Sequence, residues 1–166
     1  MTDRSAATTS AIRDLLLAQS TLTLATCGDA GPWAAAVFFA SDESLKLYFV
    51  SDPRTRHGRD LAQCGRAAAA VHPDCKSWGD IRGVQLEGPV VIVGGAARAA
   101  ALDCYLSKFP EIRRLYQKPR NDQEVAIADR LRQASLYRLT PARIRLIDNS
   151  HGFGQSEELD FDPMPE

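Results

Sequence analysis

The sequence predicts an α+β fold built around an antiparallel β-barrel. Six or seven strand-like segments follow one another through short, turn-rich connections, as the strands of hairpins do. Three or four helical segments interrupt them without the regular strand–helix alternation of a doubly wound sheet. The segment Pro32–Ala40 is apolar on both faces, so it needs cover on both sides, and a barrel interior provides one of them.

The composition is that of one globular domain over residues 1–166, with residues 149–166 as a C-terminal tail. The chain is 45% hydrophobic and 25% charged, and its net charge of −1 gives no general attraction to nucleic acid or to an anionic membrane. We find no apolar N-terminal segment of the signal-peptide kind, and no apolar run near the ~20 residues of a spanning helix. We therefore expect a cytoplasmic protein without nucleic-acid or membrane partners.

The four cysteines give no evidence for a metal site or a disulfide. None forms a C-x-x-C pair, and no histidine completes a zinc-ligand spacing nearby. Thiols of cytosolic proteins are normally reduced, and isolated cysteines usually pack as small hydrophobic side chains. We expect no bound metal. The cysteines are Cys27, Cys64, Cys75 and Cys104.

The first half of the chain is predicted to form one amphipathic helix followed by three strands. The helix covers Ser10–Ala18, with Ser10 as a possible N-cap, because its large apolar residues recur on one face. The connection Gly28-Asp-Ala-Gly31 favours a hairpin. The strands are Ser20–Thr26, Pro32–Ala40 and Leu45–Val50, and a short helix follows the break at Asp52-Pro53.

The second half is predicted to contain three strands and two longer helices. Gly88-Pro89 interrupts the long strand, and Thr140-Pro141 interrupts the last one. The tail from Asp148 is polar, acidic and proline-containing, which indicates a surface arm at its end. The strands are Ala67–His72, Asp80–Val93 and Ala134–Ile147, and the helices are Ala96–Phe109 and Asp122–Gln133, with a partly irregular segment over Pro110–Arg120.

The stretch from Tyr48 to Leu61 carries the main functional prediction. An apolar strand ends there and a short helix begins, so that hydroxyls, guanidiniums and an imidazole gather at a helix start. A helix start offers unpaired N–H groups and a positive dipole end, and guanidinium matches phosphate bidentately. We predict that this turn holds the phosphate of a small cofactor. The candidate residues are Ser51, Arg54, Thr55, Arg56 and His57.

A purely structural role for the same stretch stays open on these grounds. It lacks the glycines of a P-loop or of a dinucleotide-binding fingerprint. His57, Leu61 and Cys64 fall on one helix face, so His57 could be a half-buried packing residue whose ring is satisfied within the protein.

In order and spacing, the motifs of the chain resemble the pyridoxamine 5′-phosphate oxidase-like family of FMN-binding split barrels, from Ile12 to about Asn149. The resemblance implies a six-stranded antiparallel split β-barrel of Greek-key type with flanking helices. It also implies a homodimer that binds FMN in grooves at the subunit interface. The motifs are Thr23-Leu-Ala-Thr26 with Gly31-Pro-Trp-Ala34, Leu47-Tyr-Phe-Val-Ser51 with Thr55-Arg-His57, Trp78–Gly88, Leu136-Tyr-Arg-Leu-Thr-Pro141, and a tail like that of a small branch, Asp148-Asn-Ser-His-Gly-Phe-Gly154.

The resemblance implies further roles along the chain. Val37 and Phe38 are ring-side candidates through their main chain, and Trp78, Arg82 and Gln85 are candidates contributed across the dimer. The vitamin-B6 oxidases carry Arg-Gln-Val-Arg-x-Glu-Gly in the matching strand, whereas this chain reads Arg82-Gly-Val-Gln-Leu-Glu-Gly88. The departure puts oxidation of a vitamin-B6 substrate in doubt.

The function implied is that of an FMN-dependent oxidoreductase acting on an unidentified small molecule, because the flavin itself performs hydride or electron chemistry. No acid–base or nucleophilic set is visible, so no catalytic residue is assigned. The alternative is a non-catalytic dimer that binds flavin, the deazaflavin F420 or haem in the same groove. The imidazoles available to a haem iron are His57, His72 and His151.

Overall fold

Six antiparallel strands close into a barrel, which confirms the predicted split-barrel fold. The computed structural model of the chain describes residues 3–161, apart from the side chains of residues 3, 4 and 151. Around the barrel the order is β1-β2-β3-β6-β5-β4, and β4 pairs back onto β1, while β7 and β8 extend the sheet beside β5. The strands are β1 (Thr21–Gly28), β2 (Gly31–Ser41), β3 (Leu47–Ser51), β4 (Arg66–Val71), β5 (Arg82–Ile92), β6 (Ser135–Leu139), β7 (Arg143–Asp148) and β8 (Ser156–Asp160).

The long strand β5 exchanges one neighbour for another at its centre. Its first half lies between β4 and β7, and from Val90 onwards it pairs with β6. At the exchange, a Cβ on Gly88 would overlap the carbonyl oxygen of Thr140, so the two backbones approach as only glycine permits. The predicted interruptions at Gly88-Pro89 and at Thr140-Pro141 therefore face each other across the sheet.

The barrel interior holds the main hydrophobic core. Phe49 of β3 stacks on Tyr137 of β6 with ring centroids 5.1 Å apart. Leu24 and Phe39 are fully buried with them, and Ile12 and its neighbours pack the first helix against the same core. Burial of large side chains of this kind stabilises the fold by about 1.5–3 kcal/mol each.

Two helical predictions were wrong in their extent. The first helix begins at Asp3, so Ser10 lies in its interior and is no N-cap. Residues 110–117 form a helix, because Pro110 stands in the first turn, where its missing N–H has no cost and its φ suits the helix. The α-helices of the described chain are α1 (Asp3–Ala18), α2 (Arg56–Cys64), α3 (Ala97–Lys108), α4 (Pro110–Gln117) and α5 (Asp122–Gln133).

The first part of the predicted tail returns to the sheet as β8, a strand that the sequence did not predict, whereas the surface arm was predicted only for the end of the tail. Arg143 lies opposite Asp160 and Arg145 opposite Glu158, so the acidic tail meets the basic residues of β7. Opposite charges across an antiparallel pair favour this register. Residues 162–166 lie outside the described chain.

The outer face of the barrel is formed by small and apolar side chains of β1, β2 and β4. Ala36 lies opposite Thr23, and Ala34 lies opposite Ala25. Phe38 is 51% exposed on the same side of β2. Helix α3 covers one end of this face of β2, and the rest of the face, with Ala34 and Ala36, has no cover from the described part of the chain. No helix within that part has the length and apolar character to cross a membrane.

Candidate functional site

The strand β3 ends at Ser51 and α2 begins at Arg56, so the predicted corner exists as a strand, a tight turn and a helix start. Thr55 is the N-cap of α2, since its side-chain oxygen accepts a hydrogen bond of 3.1 Å from the N–H of Gly58. The same hydroxyl donates to the carbonyl oxygen of Asp52 at 2.7 Å. Thr55 therefore locks the turn as well as the helix start, and its hydroxyl is fully engaged.

The turn and the helix are in direct backbone contact. A Cβ on Gly58 would lie 2.6 Å from the carbonyl oxygen of Pro53, inside the distance that real side chains tolerate. The residue at this position must therefore be glycine, and it is the absence of a side chain that lets the turn fold down onto α2.

Ser51 and His57 form the central contact of the corner. The Oγ atom of Ser51 lies 2.6 Å from Nε2 of His57, and the histidine is only 8% exposed. Burial lowers the pKa of His57, although the Asp60 carboxylate opposes the shift. The lowered pKa favours the neutral imidazole, and its Nε2 atom has a partner within the protein, as the structural interpretation of this stretch allowed.

A buried carboxylate holds α2 against the barrel. The hydroxyl of Thr26 donates to Oδ2 of Asp60 at 2.7 Å, and both residues are buried. A Cβ on Gly28 would overlap the same carboxylate, so the end of β1 also approaches it closely. Sequence reasoning missed this pair. The available signal was an aspartate three residues after His57 on the inward face of α2.

The two arginines of the corner have partners inside the protein. Arg54 makes three side-chain hydrogen bonds to the Asp52 carboxylate, the shortest of 2.6 Å. Arg56 donates to the carbonyl oxygens of Ala30, Gly31 and Pro32 at 2.9–3.3 Å. Its guanidinium also lies 4.6 Å from the ring centroid of Trp33. Arg56 thus holds the β1–β2 turn against the start of α2. Phosphate binding by either arginine stays a prediction.

The groups that remain for a ligand at this corner are the Ser51 hydroxyl and backbone amides. Ser51 contacts His57 and is partly exposed. The first N–H groups of α2, those of Arg56 and His57, point out of the helix start, where anions bind readily. Hydroxyl and backbone N–H donors of this kind fit a phosphate group. The corner fits phosphate through them, with less free positive charge than the sequence predicted.

The two ring-side candidates point to opposite faces of β2. Val37 is half-buried against the barrel core. Phe38 points outward and contacts the ring of Phe109 edge-on, with centroids 5.3 Å apart. The structure does not bring their side chains together, so a shared role is confined to their main-chain groups.

Trp78, Arg82 and Gln85 lie at another edge of the barrel, around the start of β5. Trp78 is 65% exposed and meets Phe153, which is 80% exposed, in an edge-to-face contact of 5.8 Å. The buried Asn149 donates its side-chain N–H to the carbonyl oxygen of Trp78 at 2.9 Å. Within the described chain, no hydrogen bond or ring contact joins this edge to Ser51 or His57. Sequence reasoning missed both Asn149 and Phe153.

The chain matches a protein-family model and is similar in sequence to several known proteins. A family model described as pyridoxamine 5′-phosphate oxidase matches residues 8–148. The UPF0306 protein of Klebsiella pneumoniae (strain 342) is 28% identical over 149 residues, which cover 89% of this chain and 90% of that protein. The UPF0306 protein YhbP of Salmonella arizonae is likewise 28% identical over 149 residues, with the same two shares of 89% and 90%.

Solved structures show the same fold. A heme binding protein from Mycobacterium smegmatis superposes with a TM-score of 0.69 at 23% identity, over 92% of this chain and 57% of that longer chain. HutZ, the heme storage protein from Vibrio cholerae, superposes with a TM-score of 0.62 at 17% identity, over 80% of this chain and 88% of the other. At such identities the likeness shows the fold alone.

Proposed function

This chain belongs to the pyridoxamine 5′-phosphate oxidase family, and we propose that it is an FMN-binding homodimer that acts as a flavin-dependent oxidoreductase on a small molecule. The observation that carries the proposal is the corner between β3 and α2, where the Ser51 hydroxyl stands beside a capped helix start. That corner fits the phosphate of FMN. The identity of the cofactor, the dimer and the activity each need their own measurement.

In this proposal, the protein binds and orients the cofactor. Ser51 and the first amides of α2 would hold the phosphate, and His57 would keep the Ser51 oxygen in place through their 2.6 Å contact. When bound, the flavin supplies hydride or electron transfer. No side chain of the described chain is assigned to the chemical step itself.

The exposed outer face of the barrel supports the dimer. Ala34 and Ala36 of β2 are exposed without cover from the described chain, and Phe38 beside them stays 51% exposed although it contacts Phe109. Small side chains let a flat partner approach the backbone, and contiguous apolar surface of this kind marks an interaction site. A second copy on this face would allow Trp78, Arg82 and Gln85 to reach the cofactor of its partner.

The direct test is the visible spectrum of the purified protein after incubation with FMN and gel filtration. We expect a retained, protein-shifted flavin spectrum at about one FMN per subunit, and a dimer mass by light scattering. Ser51→Ala should weaken FMN binding roughly tenfold, the effect of one hydrogen bond to a charged group. Ser77→Ala is the matched control, because the Ser77 hydroxyl bonds only Asp80 in an exposed turn.

Retention of FMN followed by bleaching with reduced nicotinamide would support turnover. A wild-type protein that retains no flavin would overturn the FMN proposal. Equal FMN affinity in Ser51→Ala and Ser77→Ala would show that the phosphate lies elsewhere.

Haem is the second candidate, and the partnered arginines favour it. Since Arg54 and Arg56 are engaged within the protein, the apolar outer face is better matched to a large flat ligand than to a highly charged one. Both structures compared above are described as heme proteins. Titration with haem, followed by the Soret band in the wild type and in His72→Ala and His151→Ala, tests this candidate. A competition between F420 and FMN tests the remaining alternative.

A further inference from the structure

An open groove of about 820 Å³ separates the β3–α2 corner from α5. We call it the α5 groove. Val50, Ser51 and Pro53 line one wall, and Ile127, Arg130 and Leu131 line the other.

The wall formed by α5 is held in place by contacts that do not involve the groove. The Arg114 guanidinium of α4 makes two hydrogen bonds to the Glu124 carboxylate, of 2.9 and 3.0 Å. Arg132 donates to the carbonyl oxygen of Tyr116 at 2.7 Å, and Ala128 is fully buried. The two helices thus form one unit.

The apolar lining of the groove is exposed on one side and half-buried on the other. Ile127 is 40% exposed, while Val50 and Leu131 are half-buried at its edge. A flat apolar body between these walls would remove their surface from water, which is favourable at about 25 cal/mol per Å².

Arg130 gives the groove its charge. In the described chain, its guanidinium forms no hydrogen bond and no ion pair, whereas Arg54 at the opposite wall is neutralised by Asp52. Arg130 therefore lines, without an anionic partner among the described residues, a groove whose walls combine apolar side chains with the Asp52–Arg54 ion pair. We propose that the α5 groove binds a small molecule with a flat apolar body and a single anionic group, such as a carboxylate or sulfonate, which Arg130 pairs. This site goes beyond the FMN proposal and does not require a bound flavin.

The probe for this site is 8-anilinonaphthalene-1-sulfonate, an aromatic body with one sulfonate. Its fluorescence on titration into the full chain measures affinity, and amide NMR shifts locate it. We expect shifts confined to residues 50–54 and 127–134, and a loss of affinity of about tenfold in Arg130→Gln, the effect of a charge-assisted pair. The uncharged analogue N-phenyl-1-naphthylamine should bind the wild type and Arg130→Gln equally.

Arg66→Gln is the matched control, because Arg66 is an exposed arginine at the start of β4 and does not line the groove. Thermal melts should show that all variants are folded. The proposal is overturned if the wild type does not bind the sulfonate, if the shifted amides lie elsewhere, or if Arg66→Gln loses as much affinity as Arg130→Gln. The FMN affinity of Arg130→Gln is measured separately. We expect it to equal that of the wild type, whatever the affinity of the variant for the sulfonate.

Discussion

The Oγ atom of Ser51 lies 2.6 Å from Nε2 of His57, across the turn that joins β3 to α2. This contact places the last residue of a strand against the second residue of a helix, and it removes the imidazole from solvent. The corner proposed to hold phosphate is therefore built before any ligand arrives. Its hydroxyl is oriented by His57, and burial favours the neutral form of that histidine.

The lowered pKa of His57 predicts how the free energy of unfolding depends on pH. Burial lowers the pKa of His57, so the folded state resists a proton that the unfolded chain accepts near its ordinary pKa of about 6.5. The stability from this group is present above pH 6.5 and is lost as the pH falls toward the folded pKa. Urea unfolding between pH 7.5 and 5 should show a smaller fall for His57→Gln than for the wild type. Equal falls in the two proteins would contradict the prediction.

Gly58→Ala should destabilise the protein, although glycine to alanine in a helix normally stabilises by up to about 1 kcal/mol. The sign reverses because the new Cβ would lie 2.6 Å from the carbonyl oxygen of Pro53. We expect a loss of about 1–3 kcal/mol by urea unfolding, the usual cost of overpacking. Gly79→Ala is the control, since its nearest neighbour would be the Ser77 hydroxyl at 3.9 Å, and it should be close to neutral. A stabilised Gly58→Ala would show that the turn is not packed on α2.

Arg56→Ala should lower stability whether or not a cofactor is bound. The variant loses the hydrogen bonds to the β1–β2 turn and the contact with the Trp33 ring, together about 1–2 kcal/mol. Chemical unfolding measures the loss, and a double-mutant cycle with Trp33→Ala isolates the ring contact. Arg66→Ala provides the comparison, because Arg66 is an exposed residue at the start of β4. If Arg56→Ala weakens FMN binding and leaves stability unchanged, the guanidinium serves the ligand instead.

Lys108 links the end of α3 to the end of α1 and predicts a rise of stability in mild alkali. Its ammonium donates to the carbonyl oxygens of Leu16 and Gln19, and burial lowers its pKa to about 8. Between pH 8 and the unfolded value of about 10.4, the unfolded chain binds more protons, so this contribution to stability rises with pH.

Lys108→Met is the reference for that rise. The free energy of unfolding of the wild type, minus that of the variant, should increase from pH 7.5 to 9.5. The subtraction also cancels the titration of tyrosines such as Tyr105, whose pKa burial raises to about 12. A constant difference over this range would refute the lowered pKa.

Local patterns predicted most of the secondary structure. Alternation and turn residues located β1 to β6 within about two residues, because burial on one face requires that pattern. The helix Asp122–Gln133 was predicted with its observed bounds. Its sequence carries an N-cap residue, Asn121, followed by apolar side chains at helical spacing. The strand Ser156–Asp160 was not predicted, because its acidic side chains are unfavourable for a strand on their own. They become favourable only opposite the basic residues of β7, with which this strand pairs.

The sequence predicted the strand end, the helix start and the polar residues of the corner, but not the partners of those residues. A helix start with two hydroxyls after β3 could be read from the chain alone, because caps and strand ends depend on neighbouring residues. The groups that stay available there depend instead on contacts between distant segments. The backbone carbonyls that engage Arg56 lie 24–26 residues away along the chain, and the Thr26 hydroxyl that bonds Asp60 lies 34 residues away. Such partners are chosen by the closure of the barrel, which brings β1, β2 and α2 together and which no local pattern encodes.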